Sequence, residues 1–137
     1  MQAIVPYLNF NGDAAAALAF YSNALGGSVT QSSTFADANM AQDESQKDKI
    51  LHAVFEAGDL KFMVSDCPPP VTVSSGDQVS LSLNFTELEA IEKTFAALAD
   101  GGNITMPIQD TFWGARFAMT KDKFGVHWMF NYDYPKS

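Results

Sequence analysis

The sequence predicts an α+β fold of two tandem βαβββ modules, and three observations carry that prediction. Two segments align without gaps: LNFNGDAAAALAFYSNALGGSVT, from Leu8, lies over LNFTELEAIEKTFAALADGGNIT, from Leu83, at a constant offset of 75 residues. Within each copy the apolar period changes from the alternation of a strand to the spacing of a helix and back. Between the copies, CPPPVTVSSGDQ is a Pro/Ser/Gly stretch that continues neither a strand nor a helix. The first module therefore covers 1–66, the linker 67–78 and the second module 79–137. A chain of 137 residues suits one domain with a sizeable core.

The identities of the repeat are Leu8/Leu83, Asn9/Asn84, Phe10/Phe85, Ala15/Ala90, Phe20/Phe95, Ala24/Ala99, Gly26/Gly101, Gly27/Gly102 and Thr30/Thr105. They fall at a strand end, on a helix face and at a Gly-Gly stop, so one spacing aligns three kinds of element. In the first copy Leu8 and Phe10 end a strand, Asp13 opens an alanine-rich helix, and Gly26-Gly27 ends it. A strand follows, then ADANMAQDESQKD, a long polar loop of the mobile kind. KILHAVFEA and LKFMVSD are strands joined at Gly58-Asp59. In the second copy Leu81, Leu83 and Phe85 alternate with Ser80, Ser82 and Asn84. Thr86 with Glu89 predicts a capping box; Leu88, Ile91, Phe95 and Leu98 recur at helical spacing, and Gly101-Gly102 stops the helix. FWGARFAMT and VHWMFNYD are the closing strands, joined near Lys123–Gly125, and Trp113, Trp128 and Phe130 read as core. The last strands of the two copies align as Lys61–Ser65 over His127–Asn131.

Composition narrows the function. Apolar residues make up 47% of the chain, as in a globular protein, and no apolar run approaches a membrane span. The N-terminal MQAIVPYLNF has no basic start followed by an apolar core, so no secretion signal is read there. A single cysteine, Cys67, forms no internal disulfide, which fits a reducing cytoplasm; no Lys, Arg or His adjoins it, so it reads as inert. The net charge is −8, with eight basic residues among sixteen acidic ones, a balance that argues against nucleic-acid binding and for plain solubility. No phosphate-cradling or S-adenosylmethionine-type Gly-rich loop and no zinc-type Cys/His cluster is present.

A tandem βαβββ pair whose first helix closes on Phe20-Tyr21 and Leu25-Gly26-Gly27 resembles the glyoxalase/bleomycin-resistance/extradiol-dioxygenase superfamily, also called vicinal oxygen chelate. The stretches PYLNFNGDAAAALAFYSNALGG, KDKILHAVFEAGDLKFMVSD and DTFWGARFAMTKDKFGVHWMFN are similar to its PhnB-like branch. The resemblance implies mixed, curved sheets with helices outside and a ligand cleft inside, and a homodimer. It also implies, in several branches, a divalent metal held by His and Glu from the first and last strand of each module. Here the positions matching those histidines fall at Val5 or Pro6 and at Ser80 or Leu81, and those matching the glutamates fall on Met63 and Met129. Thioether and alkyl groups suit no hard or borderline cation, so no metal and no other cofactor are expected in that place.

Strand alternation gives the cleft candidates. With Leu8, Phe10, Leu81, Leu83, Phe85, Phe62, Val64, Trp128 and Phe130 turned to the helices, the cleft side receives Val5, Tyr7, Asn9, Ser80, Ser82, Asn84, Lys61, Met63, Ser65, His127, Met129 and Asn131. His127 reads as a general base near neutral pH or as a histidine packed at a strand end. His52 lies between two apolar faces, and its direction stays open. Arg116 shares a face with Phe112, Gly114 and Ala118, while Trp113, Ala115, Phe117 and Met119 read as core. It serves either to clamp an anion in the cleft or to pair with Asp110 or Asp122. Asn9 and Asn84 offer hydrogen bonds to a ligand or pin strand ends to helix starts, and Met63 and Met129 suit an apolar or aromatic ligand. Two functions follow. One is binding or sequestration of a small organic molecule without the standard metal. The other is an enzyme of lyase, isomerase or dioxygenase type that uses His127 as base or an atypical divalent metal.

Overall fold

The computed structural model describes residues 3–74 and 76–136. Its contacts divide the chain into two compact units, Met1–Ser74 and Ser75–Ser137. The first unit runs β1 (Tyr7–Phe10), α1 (Ala14–Leu25), β2 (Ser28–Thr34), a short 3-10 turn (Glu44–Gln46), β3 (Ile50–Ala57) and β4 (Leu60–Asp66). The second runs β5 (Leu81–Phe85), α2 (Leu88–Ala99), β6 (Asn103–Asp110), β7 (Ala115–Lys121) and β8 (His127–Asp133). Each unit holds one four-stranded mixed sheet, ordered β1-β4-β3-β2 in one and β5-β8-β7-β6 in the other. The first and last strands pair in parallel and the rest antiparallel. This is the α+β architecture of two βαβββ modules that the repeat predicts.

In the first unit α1 buries Ala14, Ala17, Leu18 and Tyr21. Small residues at the start of this face let the helix lie close to the sheet, and Tyr21 then meets Phe62 edge-on with ring centres 5.6 Å apart. Phe55 stacks on Phe62 at 4.8 Å, and Phe10, Ala53 and Val64 complete the buried face. Each large apolar side chain fully buried here stabilises the unit by roughly 1.5–3 kcal/mol. In the second unit Phe130 packs edge-on against Phe95 of α2 at 5.2 Å and stacks with Phe85 at 6.4 Å. Ile91, Leu98, Ala118 and Trp128 are buried with it.

The helix starts differ from the expectation. Asp13 occupies the N-cap position of α1, yet its side chain makes no capping bond. Asp66, at the end of β4 and 2% exposed, does that work from a distance. Its Oδ1 accepts from the Gly12 and Ala14 amides, both at 2.9 Å, and its Oδ2 accepts from the Ile50 amide at 2.9 Å. One carboxylate thus joins β4, α1 and β3. Similarly, α2 has Glu87 at its N-cap with no side-chain capping bond, so the Thr86–Glu89 box does not form.

Both Gly-Gly stops divide their labour. Gly26 and Gly101 take left-handed φ values of 71° and 76°. Gly27 and Gly102 let the chain graze the next strands: a Cβ there would lie 2.4 Å from the Glu56 carbonyl oxygen and 2.3 Å from that of Lys121.

The strand expected over FWGARFAMT begins only at Ala115. Phe112 and Trp113 sit in the β6–β7 turn, 97% and 60% exposed, with Gly114 at φ 89°. Trp113 is therefore not core, whereas Trp128 and Phe130 are. Among the described residues no helix is long and apolar enough to cross a membrane.

The two glycines of the first stop should separate in a denaturation experiment. Gly26→Ala meets only the left-handed penalty and costs about 1 kcal/mol, while Gly27→Ala drives a Cβ against backbone and costs about 3 kcal/mol. Asp66→Ala strips three amides, two of them buried, of their acceptor and costs about 3–5 kcal/mol. Urea midpoints at unchanged slope check the order. Equal midpoints for the two glycine variants would contradict the close approach.

Candidate functional site

Each sheet turns one face to its helix, and the far face carries the polar and polarizable groups. Register decides which residues share it. In the first unit Tyr7 lies beside Met63, and Met63 beside Val54. His52, two residues from Val54, falls on the same face and opposite Ser33 of β2. Tyr7 Oη and His52 Nδ1 are 3.2 Å apart, with ring centres at 5.8 Å. This settles the direction of His52, which sequence alone left open. Asn9 pairs with Ser65 on the same side, and Lys61 is exposed on it.

In the second unit the same register yields a row of sulfur. Met106 of β6 lies beside Met119 of β7, Met119 beside Met129 of β8, and Met129 beside Ser82 of β5. The three methionines are half-buried. The next rung is Asn84, Asn131, Phe117 and Gln109. His127 stands opposite Lys121 at the start of β8, and Asn131 donates from Nδ2 to Asp133 Oδ1 at 3.1 Å. Asn9 and Asn84 pin no helix start: neither side chain makes a hydrogen bond among the described residues. The pinning asparagine is Asn11, which exchanges two bonds with the Val73 backbone, at 2.9 and 2.8 Å.

The face expected for β7 is reversed. Ala118 lies beside buried Phe130, and Thr120 beside buried Trp128, on the helix-facing side. Phe117 and Met119 take the far face. Arg116 therefore points with Ala118 toward α2, where its Nε and one terminal nitrogen hold Glu92 Oε1 at 2.8 and 2.7 Å. The other terminal nitrogen holds Asp110 at 3.0 Å. The ion pair with Asp110 forms and the one with Asp122 does not. Asp122, 3% exposed, instead accepts from the Phe124 and Val126 amides and from Trp128 Nε1, the last at 2.8 Å.

Tyr134 donates to the same Asp110 oxygen at 2.6 Å. That bond, and then Arg116, hold the Asp110 carboxyl below its ordinary range. Asp110 in turn raises the Tyr134 hydroxyl, while Glu92 and then Asp110 raise the Arg116 guanidinium. A lowered carboxyl contributes stability above the ordinary carboxylate range and loses it as pH falls through the lowered value. The raised tyrosine contributes fully below its ordinary value and loses this as pH rises through the raised one. The network thus belongs to the interval between acid and strong alkali, and it ties the β6–β7 hairpin to α2.

The donor set does not fit the divalent metal of the family resemblance. The two positions expected to carry glutamates hold thioethers, their parallel neighbours are Tyr7 and Ser82, and no group of three His, Cys, Asp or Glu comes together among the described residues. Thioethers prefer soft metals, and neutral hydroxyls are weak ligands for the rest.

Sequence reasoning missed Val54, Met106, Phe117 and Met119 as far-face residues. The repeat held part of the signal: Met106 stands 75 residues after Gln31, and Gln31 lies beside Val54 as Met106 lies beside Met119.

Comparison with known proteins agrees with this geometry. A profile described as the Glyoxalase/Bleomycin resistance protein/Dioxygenase superfamily matches residues 3–130. The chain belongs to that superfamily. Protein YjdN of Escherichia coli K12 is 32% identical over 136 residues, covering 92% of each chain. The crystal structure of protein PA1353 from Pseudomonas aeruginosa superposes with a TM-score of 0.88 at 40% identity, covering 97% of this chain and 98% of that one. A PhnB protein from Bacillus cereus gives 0.77 at 25% identity, covering 96% and 99%.

Replacing Tyr134 by Phe removes the largest influence on Asp110. Its carboxyl titration, followed by carbon-13 NMR, should move upward toward the ordinary aspartate range. An unchanged titration would mean that the Tyr134–Asp110 bond is absent in solution.

Proposed function

We propose that this chain binds a small, uncharged, partly aromatic organic molecule through far-face residues of its sheets, in a binding or sequestration role without the family's usual metal. The methionine row Met106–Met119–Met129 carries the proposal. Three adjacent thioethers are polarizable and conformationally soft, and they favour flat, apolar partners of imperfect fit. Phe117, Asn84 and Asn131 on the next rung add a ring edge and neutral hydrogen-bonding groups. A net charge of −8 favours a neutral or cationic ligand over an anionic one. Membership of a superfamily that includes bleomycin-resistance proteins supports the role without naming the ligand. The homodimer implied by the family resemblance and the reducing cytoplasm that fits a single cysteine belong to the same proposal.

The Tyr7–His52 contact favours a second reading, an enzyme. When Nδ1–H donates to the Tyr7 oxygen, Nε2 keeps a lone pair and is able to take a proton. His127 remains the corresponding candidate in the second unit.

The neutral fluorophore N-phenyl-1-naphthylamine tests the binding role. Its titration should shift the labelled methyl signals of Met106, Met119 and Met129 and leave that of Met40, which is exposed in the first unit's loop. Met119→Ala and Met129→Ala should each weaken binding by about fivefold to tenfold. Shifts confined to Met40, or affinity unchanged in both variants, would overturn it. A substrate whose turnover disappears in His127→Ala or His52→Ala while binding persists would establish the enzyme reading instead.

A further inference from the structure

We propose that the first unit carries a second small-molecule site, distinct from the far face, that takes an aromatic or branched aliphatic carboxylate. A cavity of about 260 Å³ opens between the end of β4, the start of β3 and the segment that follows β4. Phe35, Pro69, Pro70 and Val71 supply apolar walls, and Asn11, Lys49, Cys67 and Thr72 are among the polar ones. The volume suits a single ring with a short polar group rather than a bare ion.

Charge selects the polar group. Lys49 Nζ donates to the Gly12 carbonyl at 2.8 Å and makes no salt bridge among the described residues, so its remaining donors are open to an acceptor. Asp66 also lines the cavity, but its carboxylate is committed to the Gly12, Ala14 and Ile50 amides and is nearly fully buried. The same three bonds mean that the start of α1 is already capped and is not the anion binder. Lys49 is therefore the one lining cation, and a carboxylate beside it gains a charge-assisted hydrogen bond at the mouth while the ring packs on Phe35 and the prolines.

Cys67 gives a site-specific reporter, since it is the chain's one cysteine and lines the cavity. Alkylation by N-ethylmaleimide is followed at about 0.15 M salt, where charge effects act within about 8 Å. Benzoate at saturation should slow the reaction at least threefold, and benzyl alcohol should protect at least about tenfold less tightly. Lys49→Met should abolish protection by benzoate, read as the ratio of the rates with and without benzoate in that variant. Val71→Trp, a change at a 56% exposed position, should abolish it by filling the cavity, and serves where Lys49→Met does not fold. An unchanged rate with benzoate, or equal protection by benzyl alcohol, would overturn the assignment. Met129→Ala should leave the protection intact, which keeps this result separate from that of the far-face site.

Discussion

The parallel pairing of the first strand with the last in each unit is the constraint on which the rest depends. A parallel neighbour cannot be reached by a tight turn, so the chain must cross over, and the helix with its two intervening strands is that crossover. Once Tyr7 is set beside Met63 and Ser82 beside Met129, the two-residue period of the strands assigns every other side chain to one face or the other. A slip by one residue would turn Phe62 and Phe130 out of the core and Met63 and Met129 into it. The aromatic contacts of Phe62 with Tyr21 and of Phe130 with Phe95 hold that register. The chemistry of the far face is therefore a consequence of where the core aromatics must go.

The two copies secure this arrangement with different polar anchors. In the first, the Asp66 carboxylate gathers amides from the start of α1 and the start of β3. In the second, Asp122 closes the β7–β8 turn and holds the indole of Trp128. Each is a buried charge made tolerable by donors on both oxygens, and removing either would leave amides or an indole N–H without a partner. Arg116, Asp110, Glu92 and Tyr134 add an exposed clamp between hairpin and helix that salt and solvent screen. The duplication thus conserves topology while letting the hydrogen bonding diverge.

Most of the fold was legible because its strongest signals are local. The Gly-Gly stops, the alternation of Leu81, Leu83 and Phe85, and the repeat itself needed no tertiary information. On β1, β4, β5 and β8 the larger apolar residues face the helices, so alternation named Tyr7, Met63, Ser82 and Met129 correctly as far-face residues. β7 defeats the same rule. Its helix-facing side uses Ala118 and Thr120, because α2 packs directly over it, and Arg116, because Glu92 waits on that helix. Its bulky Phe117 and Met119 lie on the other side, so hydrophobicity pointed the wrong way. Phe112 and Trp113 misled for a related reason, since a turn that displays aromatic rings reads locally like a strand. Asp66 was hidden because the amides that satisfy it arrive only through folding, whereas Asp122 takes two amides from its own turn and meets the Trp128 indole only through the sheet. His52 was undecided because both faces of β3 are apolar around it.

The thioethers of Met63 and Met129 stand where metal-binding members of this fold would place carboxylates. Metal content of the protein purified without chelators, read by plasma mass spectrometry beside the protein concentration, tests that most directly. Substoichiometric zinc, nickel and manganese are predicted, with none of them restored by dialysis against the free ions. One equivalent of any of these metals per chain, retained through gel filtration, would contradict the reading of the far faces as sites for an organic ligand alone.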